Sequence, residues 1–153
     1  MKILLRYLIL SCTLSLAVSN FAAADEMMMA RINQDFPEAM LRLQEQLKKQ
    51  GYIISRVQRV DIGLTKSGYK TDKYRVVFYG KPAEISYISK HYPELTPYLP
   101  LKIAIFAEAD DTMMIAANPI ILAPKANTEL KQQLKTWEND LQTLLAIMKT
   151  PTD

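Results

Sequence analysis

The segment from Tyr74 to Asn118 constrains the fold of this chain more than any other part of it. Three short runs rich in β-branched, aromatic and other apolar residues lie within it, at 74–79, 101–107 and 112–117. Gly80-Lys81-Pro82 ends the first run, and Asp110-Asp111 separates the second run from the third. Such runs bounded by turn residues predict a strand, a break, and then a hairpin of two strands.

Both arms of this hairpin are apolar on consecutive residues, from Leu101 to Ala107 and from Thr112 to Ala117. A strand with one solvated face alternates apolar and polar side chains, and these arms do not. The pattern therefore predicts a sheet with both faces at least partly covered, either by helices or by another subunit.

Helices are expected on both sides of this segment. Asp35 and Glu38 have the spacing of a capping box, and Gly51 is expected to end the helix that they begin. Asn127 is expected to cap a last helix that runs to about Met148. Its apolar residues are spaced by four and three, at Leu130, Leu134, Trp137, Leu141, Leu144 and Met148. This stripe fits packing on the domain's own sheet, which we favour, or a short coiled coil with a second chain.

The remaining segments are predicted as connectors and further strands. Met27 to Ile32 is either a short first strand or a frayed terminus. Tyr52 to Ile62 is predicted as a strand with a bulge or bend between Arg56 and Val60, because its apolar period shifts there. A loop is expected from Gly63 to Asp72, with one helical turn in it as an alternative, and a short helix from Pro82 to about His91. Pro93, Pro97 and Pro100 mark a rigid connector.

The first 24 residues are typical of a secretory signal peptide. A positive start precedes an apolar run from Leu8 to Val18, and three alanines end at Ala24. We expect cleavage between Ala24 and Asp25, which leaves 25–153 as one exported domain, periplasmic or secreted from a bacterium, with no stable membrane anchor. Lipidation of Cys12 is the alternative. Cleavage after Ala24 removes the only cysteine, which excludes disulfides and thiolate chemistry from the mature chain.

Charge and composition exclude further classes of protein. The 153 residues are 49% hydrophobic and 23% charged, as in ordinary globular domains. The formal net charge of +3 falls to +1 once the leader, with Lys2 and Arg6, is removed. A nearly neutral chain lacks the basic surface that nucleic-acid binding requires, so no nucleic-acid partner is expected.

Four short signatures occur in order along the central segment: Tyr79-Gly80-Lys81-Pro82, Leu99-Pro100-Leu101-Lys102-Ile103, Asp110-Asp111 and Ala117-Asn118-Pro119. Their order and spacing resemble the DUF302 family, over a core of about 34–120. The resemblance implies an α+β fold with a β-α-β-β-α-β-β core similar to that of the TATA-binding protein, and homodimers. With the last helix, the expected architecture is a single small domain whose antiparallel sheet is covered by helices.

The chain departs from the pattern of this family at several positions. Members often have Asn where this chain has Lys81, some have cysteines near Gly80 and Leu101, and many have His at the position of Ile62. A metal or redox role that depends on those groups is therefore not expected here. The family supplies no catalytic residue to carry over.

The usual catalytic and metal-binding sets are poorly represented. His91 is the only histidine, and no His-x-x-x-His pair or glycine-rich phosphate loop is present. Two alternatives stay open. A hydrolase would have to use Lys81, Asp61 and His91. A copper carrier would have to use the thioethers of eight methionines, among them 27–29 and 113–114. We favour core filling for the methionines and expect no cofactor and no metal.

The function that we favour is a non-enzymatic binding or interaction module, acting as a homodimer. Frequent tyrosines in the central segment are consistent with a shallow ligand pocket with hydroxyls at its rim. The candidate ligand-binding residues are Tyr79, Gly80, Lys81, Pro82, Pro100 and Asn118. We expect a small molecule there, with Lys81 attracting an anionic group.

Overall fold

The structure, a computed structural model, describes residues 26–151. The predicted signal peptide, its cleavage site at Ala24 and Asp25, and Cys12 lie outside these residues. The strands are β1 (Met27–Ile32), β2 (Ile53–Arg59), β3 (Tyr74–Gly80), β4 (Leu101–Glu108) and β5 (Asp111–Ala117). The helices are α1 (Phe36–Lys49), α2 (Val60–Lys66), α3 (Pro82–His91) and α4 (Thr128–Lys149), with 3-10 turns at Pro93–Tyr98 and Pro119–Leu122.

The five strands form one antiparallel sheet in the order β1-β5-β4-β3-β2. This confirms the predicted α+β class. It also shows that Met27–Ile32, predicted as a short strand or a frayed terminus, is an edge strand. Consecutive strands from β2 to β5 are neighbours, as in a meander, whereas β1 crosses to the far edge beside β5.

The predicted helix caps are present at both long helices. The carboxylate of Asp35 accepts a hydrogen bond from the Glu38 amide at 3.0 Å. Gly51 has a φ of 80°, the left-handed conformation expected after the last turn of α1. The side-chain oxygen of Asn127 accepts from the Leu130 amide at 2.9 Å and so caps α4.

The core lies between one face of the sheet and helices α1 and α4. All six residues of the predicted stripe on α4 are buried, and Trp137 is 1% exposed. On the sheet, Ile103, Ile105 and Met114 have no exposed surface. The stripe therefore packs within its own domain, and the coiled-coil alternative has no apolar seam left to use.

Two predictions, one for β2 and one for the segment that follows it, differ from the structure. The register shift in β2 lies between Ile54 and Arg56, earlier than predicted. The strand then ends at Arg59. Residues 60–66, predicted as the end of the strand and the start of a loop with one helical turn as an alternative, form helix α2. The apolar residues at 57, 60 and 62 shift phase because the chain changes from strand to helix there, and periodicity over so few residues does not separate the two.

Helix α2 is held to the sheet by an ion pair between Asp61 and Arg75, whose side chains are 16% and 14% exposed. The guanidinium of Arg75 also lies over the Phe36 ring, 5.7 Å from its centroid. The hydrogen bond from Arg75 lowers the pKa of Asp61 below its ordinary value, although burial of the carboxyl acts in the opposite direction.

Replacement of Asp61 by Asn is expected to lower the free energy of unfolding by about 1–2 kcal/mol at neutral pH, because Arg75 loses its charged partner. A lowered folded-state pKa means that this contribution is present above the unfolded-state pKa and is lost as the pH falls through the folded-state value. Urea unfolding across this acidic range measures the difference. Asp72→Asn removes an exposed carboxylate and should change little; an equal loss in both variants at every pH would contradict the prediction.

Candidate functional site

The junction between β3 and α3 brings the chain segments around the site close together. Gly80 is buried at the end of β3, and a Cβ atom there would lie 2.7 Å from Cγ1 of Ile85 and 3.8 Å from Cβ of Pro100. The glycine is therefore needed for close approach and not for an unusual φ. It lets α3 turn back over the sheet directly after Lys81.

Lys81 directly precedes α3, and its side chain reaches a cluster of polar and aromatic groups. Its Nζ lies 3.2 Å from Oδ2 of Asp140 and 3.9 Å from Oε1 of Glu84. The same ammonium lies over the ring of Tyr52, 4.5 Å from its centroid, where a cation is attracted by the π-system. About a quarter of the Lys81 side chain is exposed, so this contact is at the molecular surface.

The carboxylates of this cluster have further donors. Tyr52 donates its hydroxyl to Oδ2 of Asp140 at 2.7 Å, and Trp137 donates Nε1–H to Oε2 of Glu84 at 2.7 Å. Tyr79 packs against Tyr52 edge to face, with ring centroids 5.1 Å apart. We call Tyr52, Tyr79, Lys81, Glu84, Trp137 and Asp140 the Lys81 cluster.

Two carboxylates and one ammonium make the Lys81 cluster net negative. An anion, expected at Lys81 from the sequence, would have to displace Asp140 from the ammonium. Burial raises the pKa of both Tyr52 and Tyr79, and the charge of Asp140 raises it further. Both phenols therefore stay protonated at neutral pH, which does not suit a base or a nucleophile, and the Tyr52 hydroxyl serves as a donor to Asp140.

The predicted ligand-binding residues fall into two places. Tyr79, Gly80, Lys81 and Pro82 are consecutive at this junction, and Pro100 lies beside Gly80. Asn118 belongs to different contacts: its Nδ2 donates to Oε1 of Glu138 at 3.1 Å, and its Oδ1 accepts from the Ile120 amide at 3.1 Å. That small-molecule binding occurs at these residues stays a prediction.

Four residues of the Lys81 cluster were missed from the sequence: Tyr52, Glu84, Trp137 and Asp140. The i,i+3 spacing of Lys81 and Glu84 on a helix was available as a signal. Asp140 lies 59 positions from Lys81, and no local pattern links the two. Only the packing of α4 beside α3 brings them together.

The three side chains of the hydrolase alternative are engaged separately. Asp61 pairs with Arg75, and Lys81 with Asp140. The ring of His91 stacks on Tyr87, and its Nδ1 lies 2.9 Å from the Tyr87 carbonyl oxygen. No hydrogen bond or ion pair in the described part of the chain joins any two of these three residues.

The two aspartates of the β4–β5 hairpin have different surroundings. Asp111 pairs with Arg31 at 3.1 Å, and Asp110 is exposed in the hairpin turn. Within residues 26–151, no three His, Cys, Asp or Glu side chains are grouped so as to hold a metal ion. None of the helices in this range combines the length and apolar character needed to cross a membrane.

Comparison with known proteins gives a family and a fold. The family model described as "Domain of unknown function DUF302" matches residues 19–148. A crystal structure of an uncharacterized conserved DUF302 protein from Bacillus stearothermophilus is similar, with a TM-score of 0.74 and 20% sequence identity. The match covers 82% of this chain and 99% of that one, and at this identity it shows the fold. No curated protein matches.

Replacement of Gly80 by Ala is expected to lower the free energy of unfolding by about 1–3 kcal/mol, because the added methyl group must displace Ile85 from the site. Gly63→Ala is the matched control. Gly63 lies within helix α2 with nothing within 4 Å of its Cβ position, so alanine there should be neutral or stabilising by up to about 1 kcal/mol. Urea unfolding of both variants measures the contrast, and equal effects would contradict the close approach at Gly80.

Proposed function

This chain belongs to the DUF302 family, whose function is not known, and we propose that it is an exported, non-enzymatic binding module that works as a homodimer. The observation that carries the proposal is the face of the sheet turned away from α1 and α4. The apolar side chains of this open face are Met27, Met29, Val76, Phe78, Ala104, Phe106, Met113 and Ile115.

Strand pairing explains why these side chains share a face. Directly paired residues of neighbouring strands point to the same side of a sheet. Ile115 is paired with Met29 on one side and Ala104 on the other, and Ala104 is paired with Val76. Met29 is 53% exposed, and Val76, Ala104 and Ile115 are half-buried. No helix of the described chain lies over them.

Polar groups surround this apolar centre. Arg31 pairs with Glu108 and Asp111 at one corner, and Arg56 lies over the Phe78 ring at the opposite edge, 5.9 Å from its centroid. An apolar centre with a charged rim is the usual composition of a protein–protein interface. Rim charges of both signs suit contact with a second copy, because a two-fold axis brings unlike groups together.

The size of the open face also fits this interpretation. Five strands about 4.8 Å apart and about six residues of about 3.3 Å each give roughly 500 Å² in plan. Two such faces bury roughly 1,000 Å², which is the lower range for a specific protein–protein interface. Export is supported separately, by the signal-like first 24 residues.

Catalysis is not part of this proposal, because the side chains of the Lys81 cluster that could act as acid, base or nucleophile are bound to one another. Lys81 neutralises part of the charge of Asp140 and Glu84, and the tyrosines beside it keep their protons. The Lys81 cluster therefore holds α3 and α4 together. If it also receives a ligand, its net negative charge favours a cationic group over an anionic one.

Replacement of Ile115 by Glu is expected to weaken self-association of residues 25–153 about a hundredfold or more, since a two-fold interface would bury the new charge twice. Sedimentation equilibrium measures the dissociation constant. Leu41→Glu is the matched control: Leu41 is 60% exposed on α1, on the other side of the sheet, and its replacement should leave association unchanged. A wild-type protein that stays monomeric at high micromolar concentration, or equal effects of both variants, would contradict the dimer.

Copper binding is the second candidate, and one observation favours it. The strand register puts Met27, Met29 and Met113 on the open face, and Met28 and Met114 on the opposite face. Thioethers are soft ligands that suit Cu(I).

A titration with Cu(I) against a competing chelator tests the copper candidate. If the thioethers bind, the triple variant M27L, M29L and M113L loses the affinity, while Met28→Leu, on the helix side of β1, retains it. Leucine preserves the apolar area, so the dimer is not removed by the same change. Binding no tighter than micromolar in the wild type would exclude this role.

A further inference from the structure

The outer edge of β1 has free backbone groups. The Asn118 amide donates to the Glu26 carbonyl oxygen at 2.9 Å, so residues 26 and 118 form a hydrogen-bonded pair. Such pairs alternate along an antiparallel ladder. Residues 28, 30 and 32 therefore bond to β5 as well, and the N–H and C=O groups of Met27, Met29 and Arg31 point away from the sheet. Within residues 26–151, no backbone group pairs with them.

The two edges of the sheet are not equivalent. Edge strand β2 has a register shift between Ile54 and Arg56 and places Arg56 and Arg59 along its length. Bulges and charges of this kind block the addition of another strand. Strand β1 pairs with β5 without any shift over six residues, and Arg31 is its only charged side chain. The edge of β1 is thus the one that remains open to pairing.

A groove of about 800 Å³ runs beside this edge, between β1 and α4. Leu145 and Ala146 of α4 and Met28 of β1 give it an apolar wall. A strand added to β1 would direct every second side chain into this groove, because side chains alternate between the faces of a sheet. Volume and wall therefore suit an extended chain.

The charges in the groove set what that chain should carry. Glu26, Glu138 and Lys149 line it, a net negative set, and Lys135, which is not part of the lining, pairs with Glu138. The side chain of Glu138 is only 9% exposed. Burial acts against its charge, but hydrogen bonds from Lys135 and Asn118 hold its pKa below the ordinary value, so it is ionised at neutral pH. A basic side chain of an added strand would share this carboxylate with Lys135 and Asn118, and it would also lie near the charge of Glu26.

We propose that β1 accepts an extended peptide segment of a partner protein as a sixth strand, with a lysine or arginine of that segment directed into the groove toward Glu138. The free N–H and C=O groups of Met27, Met29 and Arg31 supply the backbone hydrogen bonds, and the groove supplies the selection of side chains. A second copy of this chain fits the edge less well, since it would bring the same net negative groove against this one. The proposal does not depend on the dimer, because the open face and the β1 edge are different surfaces.

The test uses residues 25–153 and a blocked eight-residue peptide that alternates threonine and valine, with lysine at one central valine position. In hydrogen-exchange NMR the amides of Met27, Met29 and Arg31 are expected to exchange at least about tenfold more slowly with saturating peptide. Met29→Pro removes one outward donor and should weaken binding about tenfold, whereas Met29→Leu keeps the donor and should bind as the wild type does. A peptide N-methylated at its pairing amides tests the same bonds without changing the protein.

The role of Glu138 is tested with a second peptide, in which norleucine replaces lysine. Glu138→Gln should weaken binding of the lysine peptide severalfold and leave the norleucine peptide unaffected. The proposal is overturned if no peptide slows exchange at β1, if Met29→Pro and the N-methylated peptide bind normally, or if Glu138→Gln weakens both peptides equally. Protection of β1 that rises with protein concentration in the absence of peptide would show a second copy as the occupant and would also overturn it.

Discussion

The packing of α4 on the sheet is the contact on which the rest of the molecule depends. Its apolar stripe packs against β1 and α1, which itself contacts β4 and β5, and Trp137 lies within that stripe. The flanks of the same helix reach to either side. Asp140 meets Lys81 and Tyr52, while Glu138 meets Asn118 at the groove beside β1. One helix thereby sets the positions of the core, the Lys81 cluster and the groove.

Because all the helices lie on one side, the sheet has an apolar face with nothing above it in residues 26–151. The alternative for such side chains as Val76, Phe106 and Ile115 is contact with water, which costs roughly 25 cal/mol for each Å² of apolar surface. The proposed contact with a second copy would remove that cost without any change in the fold. The open face is extensively apolar, and few reactive side chains within residues 26–151 lack a partner. Both facts favour a binding function.

The polar groups of the Lys81 cluster are bound mainly to one another. Its lysine is paired, its tyrosines are held protonated by burial and by Asp140, and its tryptophan donates to Glu84. Tyr52, Lys81 and Trp137 each bond to a carboxylate from another part of the chain, and Tyr79 contributes a ring contact. These contacts connect α3 to α4. Gly80 of the family signature has a separate, steric role, because a Cβ atom there would meet Ile85.

Features that depend on near neighbours were predictable from the residues alone: the caps at Asp35 and Asn127, the left-handed Gly51, the apolar stripe of α4, the hairpin and the α+β class. The bulge of β2 was predicted too late in the strand, and α2 was predicted as strand and loop with at most one helical turn. A few residues with a shifting period fit both a strand and a helix. The contacts between distant residues, such as Lys81 with Asp140, could be known only from the tertiary structure. The same is true of the separate contacts of Asn118 and of the sheet face that no helix covers within residues 26–151. Local patterns depend on the geometry of a single helix or strand, whereas these contacts depend on strand register and on the placement of whole helices, which no short segment encodes.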